Sequence, residues 1–202
     1  MNNFKVVSFF TQHTIYEEVA HTHLIPSLEK TNLDWQVDTV ENRGDWFKNT
    51  GYKPTYIYFK LCECDKNIIW IDCDATIERA PVLLGEIPDD IDIAFHTLDW
   101  SKHYERPKET TTELLTGTIF FKNTIPVKEF VNKWAIECSK NPGIWEQKIL
   151  ERLLKQHPEF KIFNLPEEYC CILTFKNEIP SYIKEPVIVH HQASRNVRKH
   201  HI

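Results

Sequence analysis

Residues 67–77 read NIIWIDCDATI, and the reading of this stretch decides the fold. Ile68, Ile69, Trp70 and Ile71 run without interruption into Asp72, Cys73 and Asp74. A continuous apolar run of β-branched and aromatic residues predicts a strand covered on both faces. Such a strand releases polar side chains only at its carboxyl end, where open α/β sheets bind ligands. Two carboxylates at i and i+2 on a turning backbone suit a hard divalent cation carrying a phosphate-bearing substrate.

Upstream of this stretch, Phe4–Phe10 predicts a first strand. Tyr16, Val19, Ala20 and Leu28 then share one helical face, which Pro26 should kink or split. Trp35–Val40 predicts a second strand, followed by a loop over 41–53. Pro54 opens a helix to about Cys64, because its missing N–H costs nothing at a first helical position. The order through residue 71 is therefore β-α-β-α-β, which predicts a mostly parallel sheet with helices on both faces. Downstream, a short turn follows Asp74, and strands are expected over 90–98 and 114–122. Helices follow over 127–139 and 145–156, with short strands over 161–165 and 187–190. Residues 99–112 carry no apolar pattern and read as a mobile loop, a candidate lid.

At 202 residues, 42% hydrophobic and 26% charged, the chain has the make-up of a single soluble domain. A net charge of −5 argues against a nucleic-acid binder, although Arg195, Arg198 and Lys199 make the tail locally basic. No apolar run approaches the roughly 18–20 residues of a transmembrane segment, and the first residues carry no export-signal pattern. Cys62, Cys64, Cys73, Cys138, Cys170 and Cys171 lack the spacing of a zinc site or a disulfide frame. Reduced thiols in a cytoplasmic setting are expected. With five glycines there is no glycine-rich phosphate loop, so any phosphate must be held by a metal and side chains.

Four places carry candidate chemistry, each with a plainer alternative. Asp72 and Asp74 are a metal clamp or an acidic surface turn. In 187–195, VIVHHQASR, a strand delivers His190, His191 and Arg195 as a metal ligand and a phosphate fork, or as a solvated tail. Glu146 opens a helix as a base or hydroxyl ligand, or merely complements the positive helix end. Gly117 inside a strand marks a close approach to backbone, or a bulge.

Six blocks in order then give a resemblance covering nearly the whole chain: GDWFKNTGYKP (44–54), IIWIDCDATI (68–77), TGTIFFKNT (116–124), WEQKIL (145–150), LPEEYC (165–170) and VIVHHQASR (187–195). Together they resemble nucleotide-diphospho-sugar transferases, glycosyltransferases of the GT-A fold with a D-x-D motif. The resemblance implies a single GT-A domain over 1–202, with a donor half to about 98 and an acceptor half from about 113. It implies transfer from a nucleoside-diphosphate-sugar donor to a hydroxyl of a glycan or related acceptor, with Mn²⁺ or Mg²⁺ as cofactor. Asp74 would be the main metal ligand, Asp72 its partner and His190 the third. Thr11, Asn49, Lys53, Asp72, Thr116, Gly117 and Gln147 are candidate nucleotide-sugar contacts, and Arg195 and Lys199 would face the diphosphate. Asp99, Glu113 and Glu146 are the candidate bases; the family pattern carries Asp where this chain has Glu146. Two rival readings use the same residues. One is a sugar-nucleotide-binding domain without turnover; the other is a haloacid-dehalogenase-like phosphatase with Asp72 as nucleophile.

Overall fold

The computed structural model describes residues 3–103 and 111–195. A six-stranded sheet forms its centre, built from β1 (Phe4–Thr11), β2 (Trp35–Val40), β3 (Asn67–Ile71), β5 (Ile93–Asp99), β6 (Thr112–Phe121) and β7 (Ile162–Asn164). The strand order is β2-β1-β3-β6-β5-β7. β1 runs parallel to both β2 and β3, and β5 is parallel to β7, while β6 lies antiparallel to its two neighbours. The predominantly parallel sheet read from the β-α-β-α-β series is thus present, with β6 inserted in reverse.

β3 is buried on both faces because its side chains alternate between two cores. Ile68 and Trp70 join Val7, Phe9, Tyr56, Ile57 and Trp134 on one side. That side is covered by α4 (Lys53–Glu63), α6 (Ile125–Lys140) and α7 (Glu146–Gln156). Ile69 and Ile71 join Val6, Leu24, Leu28 and Ile188 on the other. Asp72 continues the Trp70 face by the same alternation, which aims it at the first turn of α4.

The N-terminal helical segment comprises α1 (Ile15–Val19), a π turn (Ala20–Leu24) and α2 (Ile25–Leu28). Pro26, which has no N–H and whose ring crowds the preceding turn, explains the wider winding just before it. Thr14 caps the segment by accepting from the Tyr16 N–H. The Asn123 amide ties α4 to the sheet by donating to the carbonyls of Leu61, Cys64 and Lys66.

Several elements differ from expectation. The loop expected over 41–53 contains α3 (Trp46–Thr50), capped by the Asp45 carboxylate. The turn expected after Asp74 contains β4 (Ala75–Ile77), which pairs with β9 (Ile188–His190); β9 in turn pairs with β8 (Cys171–Ile172). These three short strands form a second sheet. The expected loop over 99–112 begins with α5 (Trp100–His103) and ends inside β6; its residues 104–110 lie outside the described residues. β4 and β8 escape a periodicity reading, since two or three residues carry too little alternation to register. Among the described residues, no helix is long and apolar enough to cross a membrane.

Candidate active site

The carboxyl ends of β1 and β3 open into a cavity of about 410 Å³. Thr11, Asn49, Lys53, Asp72, Asp74, Glu113, Thr116, Gly117, Glu146, Gln147, His190 and Arg195 all line it. Of the described residues singled out from the sequence, Asp99 and His191 are missing from the wall. Asp99 ends β5, where its Oδ1 accepts from the N–H and hydroxyl of Ser101. In that place it is an exposed turn cap beside, not on, the cavity wall. Lys199 lies outside the described residues.

The metal-type cluster joins the two sheets. Asp72, Asp74 and His190 bring one donor atom each to within 4.8 Å of one another. β4 pairs antiparallel with β9 so that Ala75 faces His190, which places the histidine beside the D-x-D turn. His190 Nδ1 lies 3.8 Å from Asp74 Oδ1, while its Nε2 sits 2.9 Å from the Thr118 hydroxyl. Asp74 Oδ2 accepts the Ala193 N–H at 2.9 Å. Gln192, at φ 58, turns the chain sharply between His190 and that N–H. His191 points elsewhere, stacked on His23 and bonded to the Thr76 hydroxyl.

Burial opposes the charges here, and local partners outweigh it. The Asp74 carboxyl is buried, yet His190 and the Ala193 N–H hold it below the usual carboxylate range. Burial works against a charged His190, but Cys170 and Asp74 beside it raise its pKa to about 10. Two carboxylates and one imidazole, with the second ring nitrogen already bonded, form a donor set that fits a hard-to-borderline divalent ion.

Gly117 explains how the imidazole reaches its place. Backbone pairing of β3 and β6 continues as Asp72 N–H to the Gly117 carbonyl at 2.8 Å. A Cβ on Gly117 would stand 2.8 Å from His190 Cε1 and 3.0 Å from Nδ1, so the ring occupies the space that a side chain would need. Gly117→Ala is expected to displace the ring and weaken Mn²⁺ binding about tenfold or more, at a stability cost of about 1–3 kcal/mol. Isothermal titration with Mn²⁺ checks this; wild-type affinity in the alanine variant would refute it.

A second cluster lies beside the first. Lys53 is buried at the start of α4, with Nζ 2.8 Å from Asp72 Oδ1 and 3.0 Å from Glu146 Oε1. Burial disfavours its charge, but Asp72 and Glu146 outweigh burial and raise its pKa. The Thr116 hydroxyl also donates to Glu146 Oε1, at 2.9 Å. Glu146 is 1% exposed, and its Oε2 has no hydrogen-bond partner among the described residues. A buried carboxylate oxygen without a donor is costly unless a ligand or water supplies one. Gln147 accepts from the Thr116 N–H and donates to Glu113 Oε1, and Glu113 also pairs with Lys148 at 3.0 Å. Arg195 donates to the carbonyls of Thr174 and Leu173. Asn49 accepts from the Arg43 N–H and donates to Asn42.

The sequence reading missed Trp70 and the Ala193 N–H as parts of the site. Trp70 was legible in principle, because strand alternation puts residue i on the same face as i+2.

Residues 11–200 match the family profile described as nucleotide-diphospho-sugar transferase. The chain belongs to that family. It is a glycosyltransferase, and its fold agrees with solved members of the GT-A class. A glycosyltransferase involved in glycosylation of the major capsid of PBCV-1 superposes with a TM-score of 0.65 at 16% identity, covering 98% of this chain and 97% of that one. Mouse xyloside xylosyltransferase 1 gives 0.54 at 10% identity, with 95% and 98% covered. The galactosyltransferase LgtC, solved with donor and acceptor sugar analogues, gives 0.57 at 12% identity, with 94% and 87% covered. At these identities the likeness is one of fold. No curated protein matches. Membership in the transferase family sets aside the phosphatase reading, in which Asp72 was a nucleophile.

Proposed function

We propose that this transferase moves a sugar from a nucleoside-diphosphate-sugar donor to a hydroxyl of a glycan or related acceptor, in a divalent-metal-dependent reaction. The observation that carries the reading is the convergence of Asp72, Asp74 and His190 on a cavity whose wall also holds the unpartnered Glu146 oxygen. The whole chain acts as one such domain, with the donor over the half to about residue 98 and the acceptor over the half from about 113. Asp74, Asp72 and His190 would hold the metal. An imidazole beside two carboxylates favours Mn²⁺ over Mg²⁺, which prefers oxygen ligands alone. The ion, when bound, neutralises charge that builds on the departing diphosphate.

The chain's own residues do the rest. Thr11 and Asn49, at the β1 end and on α3, suit the nucleoside. Arg195, with Lys199, would hold the diphosphate. Glu146 Oε2 accepts a sugar hydroxyl, with its other oxygen fixed by Lys53 and Thr116, so the sugar is oriented rather than merely enclosed. Glu113, Gln147, Thr116 and Gly117 border the acceptor side. Six cysteines outside any disulfide suit a reducing compartment such as the cytoplasm.

The test is a melting panel of nucleoside diphosphates and their sugars, each with and without Mn²⁺. A ligand at about 100 times its Kd should add about 2.7 kcal/mol, or roughly 5–10 °C, and only with metal present. A panel without any metal-dependent shift would refute the proposal.

A further inference from the structure

The D-x-D carboxylates are held very differently. Asp74 is buried and gripped by a backbone N–H, whereas the Asp72 side chain is 35% exposed and sits at the cavity wall. Loose carboxylates rotate, and a rotating ligand gives up entropy each time it binds. Asp72 does not rotate freely, because two donors meet on one of its oxygens. The Trp70 indole Nε1 donates to Oδ1 at 2.7 Å, and Lys53 Nζ lies 2.8 Å from the same atom.

We infer that Trp70 is a positioning residue: its indole N–H, together with Lys53, pins Asp72 Oδ1 and leaves Oδ2 as the single oxygen that Asp72 offers to the metal and donor. The inference rests on the metal reading of Asp72, Asp74 and His190. Trp70 is suited to the role by its own rigidity. It is 2% exposed, wedged against Phe9 and Tyr56 with centroid separations of 5.2 and 5.9 Å. Lys53 Nζ stands 5.3 Å from the indole centroid, so the ring also supports the cation that shares its acceptor. The N–H has a single direction, and the strand's alternation sets that direction toward residue 72. Any large apolar residue would fill the core at position 70, but only one carrying a donor here can hold the carboxylate.

Two replacements separate the donor from the packing. Trp70→Phe removes the N–H and part of the ring. Site-specific incorporation of 3-benzothienylalanine at position 70 removes the N–H and keeps the bicyclic shape. The protein is titrated calorimetrically with Mn²⁺ alone, and its metal-free melting point is measured in parallel. The benzothienyl form should melt within a few degrees of wild type and bind Mn²⁺ about tenfold or more weakly, the usual scale for an outer partner of a metal ligand. The Mn²⁺ concentration for half-maximal rate should rise by the same factor as Kd. Wild-type Mn²⁺ affinity in the benzothienyl form overturns the inference and leaves the metal site standing. Failure of wild type itself to bind Mn²⁺ overturns both. If Trp70→Phe unfolds, the benzothienyl form alone decides.

Discussion

Asp74→Asn is expected to abolish measurable Mn²⁺ binding and to lower transfer by more than about 10²-fold, while the protein still folds. The asparagine carbonyl can still take the Ala193 N–H that Asp74 Oδ2 accepts at 2.9 Å, so the turn into Gln192 keeps its anchor. What the change removes is the negative charge facing His190, 3.8 Å from its Nδ1. Hard divalent ions bind through that charge, and a neutral amide is a poor substitute. Calorimetry with Mn²⁺ and a donor-consumption assay are the measurements. Unaltered Mn²⁺ affinity in the variant would mean that the cluster is not the metal site.

Lys53→Met should cost stability more than any other single change at the site. Lys53 is 4% exposed and Glu146 1% exposed, so the variant leaves the Glu146 carboxylate buried without its cation. Breaking a buried pair from one side costs about 3–5 kcal/mol. Asp72 is partly solvated, so the low end applies: about 3 kcal/mol, or roughly 6–12 °C in melting temperature. Adding Glu146→Gln removes the stranded charge, and the double variant should recover at least ~1 kcal/mol relative to the sum of the single changes. Strict additivity in that thermodynamic cycle would show that the ion pair does not hold the two halves of the site together. Activity is expected to stay low in the double variant, since Asp72 Oδ1 has then lost one of its two donors and position 146 its carboxylate.

Much of this architecture is written in local pattern. NIIWIDCDATI reads as a doubly covered strand, because four consecutive apolar residues put apolar side chains on both of its faces. Its place as the third strand of a β-α-β-α-β series determined that Asp72 and Asp74 would emerge at a ligand-binding edge. The length of α6 was also legible, from Val127, Phe130, Val131, Trp134 and Cys138, all buried.

The assembly of the site was decided elsewhere. The reversed insertion of β6 puts Gly117 against Asp72, and no local pattern specifies strand order. The pairing of β4 with β9 brings His190 to Asp74, yet β4 is three residues long and reads as a turn. Asp99 and Glu146 read alike along the chain, and the fold puts Glu146 on the cavity wall and Asp99 at a turn outside it. By itself the sequence determined the D-x-D strand, since burial periodicity is a property of neighbours along the chain. Only the tertiary structure decided which oxygen of Asp72 is held by Trp70 and Lys53, because that depends on where α4 lies against the face that Trp70 and Asp72 share.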